Sequence, residues 1–157
     1  MDDKIETTAE FAEAHAMPRC FESHPGAAAD GTVHKPIPNA VIDRPVSEKS
    51  PAQWAYERTA IYLRSFEEQL DSEHEVAMGF AGGGSGVLRI EGMGYFDPDI
   101  VTFYGSDGSG ARMQLVQHVT QLNVTLRALP KAQPDKAPNR IGFRLVSDLE
   151  NAEEQRA

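Results

Sequence analysis

No lysine stands between Lys49 and Lys131, and one cysteine occurs in 157 residues. No apolar run approaches the length needed to cross a bilayer. Each shortage removes a class of function. Without a lysine, the glycine-rich stretch 81–87, AGGGSGV, cannot be a P-loop, which must end in Gly-Lys-Ser/Thr. Cys20 alone cannot form an internal disulfide. The opening MDDKIETTAEF is acidic and lacks the basic, apolar, small-residue order of a secretory signal. These features predict a soluble, cytoplasmic protein with no membrane partner.

Positive charge is also scarce. The net charge is −9. Residues 1–50 carry nine acids against five bases, and residues 51–130 carry ten against five. Sequence-independent binding to phosphate backbones comes mainly from Lys and Arg, so this balance argues against nucleic acid and anionic membrane as partners.

The chain is long enough for one domain with tails. Residues 1–49 are expected to be a mostly disordered, acidic tail bearing prolines, with one short helix where Thr7 and Glu10 match a capping box. The segment KPIPNAVIDRP reads as an unstructured spacer, the alternative being a motif that lies extended in a groove or along a sheet edge. Ser50-Pro51-Ala52-Gln53 then supplies an N-cap, a first-turn proline and a capping-box glutamine, predicting a helix from 51 to about 70. Ala55, Thr59, Tyr62, Leu63, Phe66 and Leu70 form its apolar stripe, with Glu57, Arg64, Glu67 and Glu68 opposite. Trp54 and Ile61 make a second, smaller apolar strip.

From Glu75 the period changes from 3.6 to 2. Strands are predicted at 75–80, 87–91, 100–104, 112–119 and 122–128. Ile141, Phe143 and Leu145 suggest a sixth, and 147–157 reads as a fraying charged tail. Short strands with tight turns favour antiparallel pairing. The expected fold is therefore α+β, spanning 50–146: an N-terminal helix packed on a strongly bent five- to six-stranded antiparallel sheet or small β-barrel of the Sm-like or SH3-like kind.

Candidate chemistry is thin. The glycines at 81–87 fit no dinucleotide fingerprint, because VLRIE reads as a strand rather than a helix. They fit no nucleophile elbow either, because Val87 stands two positions after Ser85. A hairpin turn between two strands needs only glycine's freedom at positive φ. His15, His24, His34 and Cys20 match no zinc spacing. Asp97-Pro98-Asp99 and Asp107 read as turn residues without a catalytic partner. No metal, cofactor or catalytic residue is assigned, and a non-enzymatic protein is expected, a small hydrolytic enzyme being the least favoured reading. Gln117-His118, where the fourth strand meets the fifth, is the most distinctive polar pair.

The blocks SPAQWAYERTAIYLRSFEEQLDSEHEVAM, GYFDPDIVTFYG and QLVQHVTQLNVTLRALP resemble an uncharacterised bacterial family of domains of unknown function over about 50–146. More distantly, Phe96-Asp97 before IVTFY and Gln117-His118 in VQHVTQL resemble the Sm-like bacterial RNA chaperones. That likeness implies a capped helix followed by five bent strands, and ring assembly through strand edges. It also implies RNA contact near His118, although Gln117 replaces the family's lysine. The resulting expectation is a protein-interaction or assembly module, binding a protein partner or further copies of itself. Its contacts are assigned to Trp54, Ile61, Phe96, Arg112, Gln117 and His118. The alternative is an Sm-like RNA binder using Phe96, Arg112, Gln117 and His118.

Overall fold

The computed structural model describes residues 5–22, 37–80 and 86–156. The chain divides into two units, 1–49 and 50–157. The glycine cluster at 81–85 and His24 and His34 lie outside the described residues.

In the first unit, α1 (Thr8–Ala14) begins where the sequence predicts. The Thr7 side chain accepts from the Glu10 N–H at 3.2 Å, and the Glu10 carboxylate accepts from the Thr7 N–H at 2.8 Å. A single helical turn, α2 (Asn39–Ile42), stands inside the segment read as an unstructured spacer. Lys49 explains it: its Nζ donates to the carbonyls of Ala40 and Val41, both at 3.1 Å, collecting two acceptors that only a turn brings together.

The second unit opens with α3 (Pro51–Glu67), capped by the Ser50 hydroxyl, which accepts from the Gln53 N–H at 3.0 Å. Five strands follow: β1 (His74–Phe80), β2 (Val87–Phe96), β3 (Ile100–Ser106), β4 (Arg112–His118) and β5 (Val124–Pro130). They form one antiparallel sheet in the order β4-β3-β2-β1-β5, and it does not close. β1 and β2, on either side of the glycine cluster, pair antiparallel with Met78 opposite Leu88.

β2 runs five residues beyond its predicted end, and a register irregularity between Ile90 and Gly92 accounts for the misreading. An inserted residue switches which alternate positions face inward. Leu88 and Ile90 are buried before it and Met93 after it. At the same place β3 comes unusually near. A Cβ at Gly105 would meet the Arg89 carbonyl carbon and Leu88 Cδ1, each at 2.9 Å, so only glycine fits.

The segment predicted as a sixth strand, from Ile141 to Leu145, is helical. Residues 141–156 form α4 (Ile141–Arg156), which includes most of the expected tail. Ile141, Phe143 and Leu145 alternate, but Ile141, Leu145, Val146 and Leu149 also recur at helical spacing. Ile141, Leu145 and Val146 are buried in the core, with Leu149 packed at its margin. The core joins Val76, Met78, Leu88, Ile90, Met93, Val101 and Phe103 of the sheet to Ala55, Ala60 and Leu63 of α3 and to those α4 residues. The supposed polar face of α3 changes accordingly. Arg64 and Glu67 are buried where α4 crosses at Gly142, while Tyr62, assigned to the apolar stripe, is exposed.

Candidate functional site

The β2–β3 turn, Asp97-Pro98-Asp99, is the point where α3, β2, β3 and the end of β4 are tied together. The Asp97–Pro98 peptide is cis. On one side the Ser50 hydroxyl donates to the Asp97 carboxylate, and the Ala52 N–H donates to the Pro98 carbonyl at 2.9 Å. The turn thus satisfies donors at the start of α3 that have no partner within the helix. On the other side the Val119 N–H donates to the Asp99 carbonyl at 2.8 Å.

His118 ends β4 and caps a 3-10 turn, Val119–Gln121. Its Nδ1 accepts from the Thr120 N–H at 3.2 Å, while the Gln121 side chain accepts from the His118 N–H at 3.1 Å. An Nδ1 that accepts leaves the proton on Nε2 in the neutral ring, and Nε2 stands 3.0 Å from Asp99 Oδ2, placed to donate. Both ring nitrogens are therefore engaged within the chain. A ring in this position holds the corner of the sheet.

The strand register places the remaining candidates. Phe96 lies opposite Ile100, and Ile100 lies opposite His118. Phe96 and His118 thus share one row, two strands apart, at about 10 Å by ordinary strand spacing. Phe96 is 75% exposed. Arg112 shares that face of β4 but stands opposite Ser106 at the other end, about 20 Å along the strand. Gln117 lies opposite fully buried Val101, so it belongs to the core side, where its Oε1 is buried without a hydrogen-bond partner. Trp54 is buried, with the Arg58 guanidinium 5.8 Å from the centre of its ring, and Ile61 packs against the core. The register therefore puts Phe96 and His118 in one row of one face, with Arg112 at the far end of that face and Gln117 on the opposite one.

The residues that hold this corner, Ser50, Asp97, Asp99, Thr120 and Gln121, were not singled out as a group by sequence reasoning. One signal was present: His118 followed three positions later by Gln121 has the spacing of a capping box, with histidine in the place of serine or threonine.

The second notable geometry is at the edges. β4 and β5, seven residues each, flank the sheet, and among the described residues each pairs with one strand. β4 exposes Val116 (58%) and Met113 (43%). Among the described residues no group of three or more His, Cys, Asp or Glu could hold a metal ion. No helix among them is long and apolar enough to cross a membrane.

The profile of DUF6173, a family of unknown function, matches residues 48–144, and the chain belongs to that family. No match is found among curated proteins or among solved structures.

Proposed function

We propose that this domain is a non-enzymatic assembly module that joins further copies of itself through the two free edges of its sheet. The observation that carries this reading is that β4 and β5, at the two edges of one open sheet, each lack a second partner strand among the described residues. Each presents a row of main-chain N–H and C=O groups on which another strand can be laid. Natural proteins blunt edges with charge, proline or bulges. β5 has Arg127 and ends in Pro130, but β4 between Arg112 and His118 contains neither charge nor proline. Where β4 of one copy pairs with β5 of the next, contact runs head to tail, closing into a ring or extending as a filament. The arrangement of a capped helix before five antiparallel strands, together with the likeness around Phe96-Asp97 and Gln117-His118, supports the ring form.

Size-exclusion chromatography with light scattering tests the reading. The expected result is a defined oligomer that dissociates when β5 receives a proline at whichever of Arg127 and Ala128 directs its N–H away from β1. A strict monomer at high concentration removes the proposal.

One observation favours a second reading, RNA contact. An exposed aromatic ring, Phe96, lies in the same row as His118, and exposed aromatic side chains stack on bases. The acidic balance of the chain and the internal bonding of both His118 nitrogens weigh on the other side. Filter binding to uridine-rich RNA at low salt separates the two readings. Retention lost in Phe96→Ala supports RNA contact, and no retention by the parent protein removes it.

A further inference from the structure

The joint between α3 and α4 contains a carboxylate for which neither the fold nor the proposed assembly accounts. Glu67, the last residue of α3, is 2% exposed. Its Oε1 accepts from the Phe143 N–H at 3.2 Å, and the N–H dipoles of Ile141 and Gly142 also favour its charged form. The side chain of one helix therefore caps the first turn of the next. Its other oxygen, Oε2, is buried without any hydrogen-bond partner.

We propose that this joint is a proton-operated latch: protonated Glu67 seats the N-terminus of α4 on the end of α3, and loss of that proton lifts the first turn of α4. The two states differ in how well the interior tolerates Oε2. A neutral carboxyl keeps Oε1 as acceptor for the helix N–H groups and carries no buried charge. An ionised one leaves an orphan anionic oxygen that only water can satisfy, and water reaches it only if α4 moves.

The neighbouring charges do not remove this imbalance. Arg140, just before α4, is the cation that favours the ionised form. Its guanidinium is committed to the carbonyls of His74 at 2.7 Å and Asp71 at 2.8 Å. Arg64, on the same side of α3, faces Glu68 at 3.8 Å. Arg144 of α4 turns to the Glu91 carbonyl of β2. No ion pair forms to Glu67 among the described residues. Burial outweighs the three backbone donors and Arg140, and pushes the Glu67 carboxyl up to about 7. The contact is also suited to parting, because Gly142 has no side chain to interlock with α3. The latch is independent of the assembly reading, since β4 and β5 take no part in it.

Hydrogen exchange on the full chain tests the latch. Amides of residues 143–147, corrected for intrinsic exchange, should lose about tenfold or more protection between about pH 5.5 and about pH 8.5. Val101 and Phe103 should hold theirs. Glu67→Gln, which keeps an acceptor for the helix and cannot ionise, should abolish the change. Protection that is independent of pH in the parent protein, or an equal loss in Glu67→Gln, overturns the proposal. Should the variant fail to fold, carbon-13 titration of the Glu67 carboxyl in the parent decides. A midpoint coincident with the opening supports the latch, and one in the ordinary carboxylate range overturns it.

Discussion

His118 Nε2 stands 3.0 Å from Asp99 Oδ2, and the same ring accepts from the Thr120 N–H through Nδ1 at 3.2 Å. One side chain thus performs two separable tasks, capping the turn after β4 and fastening β4 to the β2–β3 turn. Substitutions can take them apart. Asparagine reproduces the short reach of Nδ1 and not the long reach of Nε2, while alanine removes both. His118→Ala should cost about 1–2 kcal/mol, the usual loss of an N-cap together with the exposed contacts to Thr120 Oγ1 at 2.7 Å and Asp99 Oδ2 at 3.0 Å. His118→Asn should recover roughly half of that, because an exposed pair is worth under about 1 kcal/mol. Urea unfolding measures both. Equal losses would mean that the cap contributes nothing.

Ser50 is engaged twice as well, accepting from the Gln53 N–H at 3.0 Å and donating to the Asp97 carboxylate. Serine and aspartate are comparable N-caps in an isolated helix. Here they should differ, because aspartate at 50 would set a second carboxylate against Asp97 and has no proton to donate. Ser50→Ala should cost about 1 kcal/mol. Ser50→Asp should be no better than Ser50→Ala, and thermal unfolding of the two variants makes the comparison. A stabilised Ser50→Asp would show that the bond to Asp97 is unimportant.

Where the sequence was readable, one local signal sufficed. Ser50-Pro51 marks the start of α3, and alternation locates all five strands, because side chains of each, fully buried in β1–β3 and partly buried in β4 and β5, pack on the core. Where reading failed, two signals competed or the partner was remote. Ile141, Phe143 and Leu145 alternate and are also compatible with a helix, so alternation alone predicts a strand where α4 stands. Arg64 and Glu67 then looked like a solvent face, since their burial depends on that missing helix. The irregularity at Ile90/Gly92 reversed the alternation within β2 and cut it short. The corner around Asp97–Asp99 rests largely on main-chain atoms, such as the carbonyls of Pro98 and Asp99, which no side-chain pattern encodes. Trp54 and Ile61 form a second strip in the sequence, yet burial of one and packing of the other leave Phe96 as the exposed large apolar member of the candidate set, two strands from His118.

Gly142 offers a test of the α3–α4 contact in which two effects oppose each other. In an exposed helix, glycine to alanine stabilises by about 1 kcal/mol. At 142 a Cβ would fall 2.6 Å from the Leu63 carbonyl carbon and closer still to Arg64 N, which belong to a backbone that cannot easily yield. Steric overlap should win, and Gly142→Ala should destabilise by about 2 kcal/mol or more. Gly108 is the control, with nothing within 4 Å of the added carbon. Gly108→Ala should be neutral within about 0.5 kcal/mol or slightly stabilising. Denaturant midpoints for the two variants suffice. A neutral Gly142→Ala would mean that the helices have room to separate without loss.

Glu67 makes a prediction for global stability with a definite sign. Its carboxyl is held up at about 7 in the folded chain against an ordinary value of 4.5, so the native state binds the proton more tightly than the unfolded state. Below the ordinary value both states are protonated and the site imposes no penalty. As pH rises from there the unfolded state ionises first and stability falls, and the penalty is complete once the folded carboxyl has also ionised, above about 7. The size is on the order of 3 kcal/mol, set by burial of the charge against three helix donors that offset part of it. Glu67→Gln removes this component, so the difference between variant and parent should grow across that window and be largest on its alkaline side. Thermal midpoints measured through the window for both proteins provide the check. A constant difference at every pH would mean that the Glu67 carboxyl ionises in its ordinary range and that its burial is compensated by groups other than the first turn of α4.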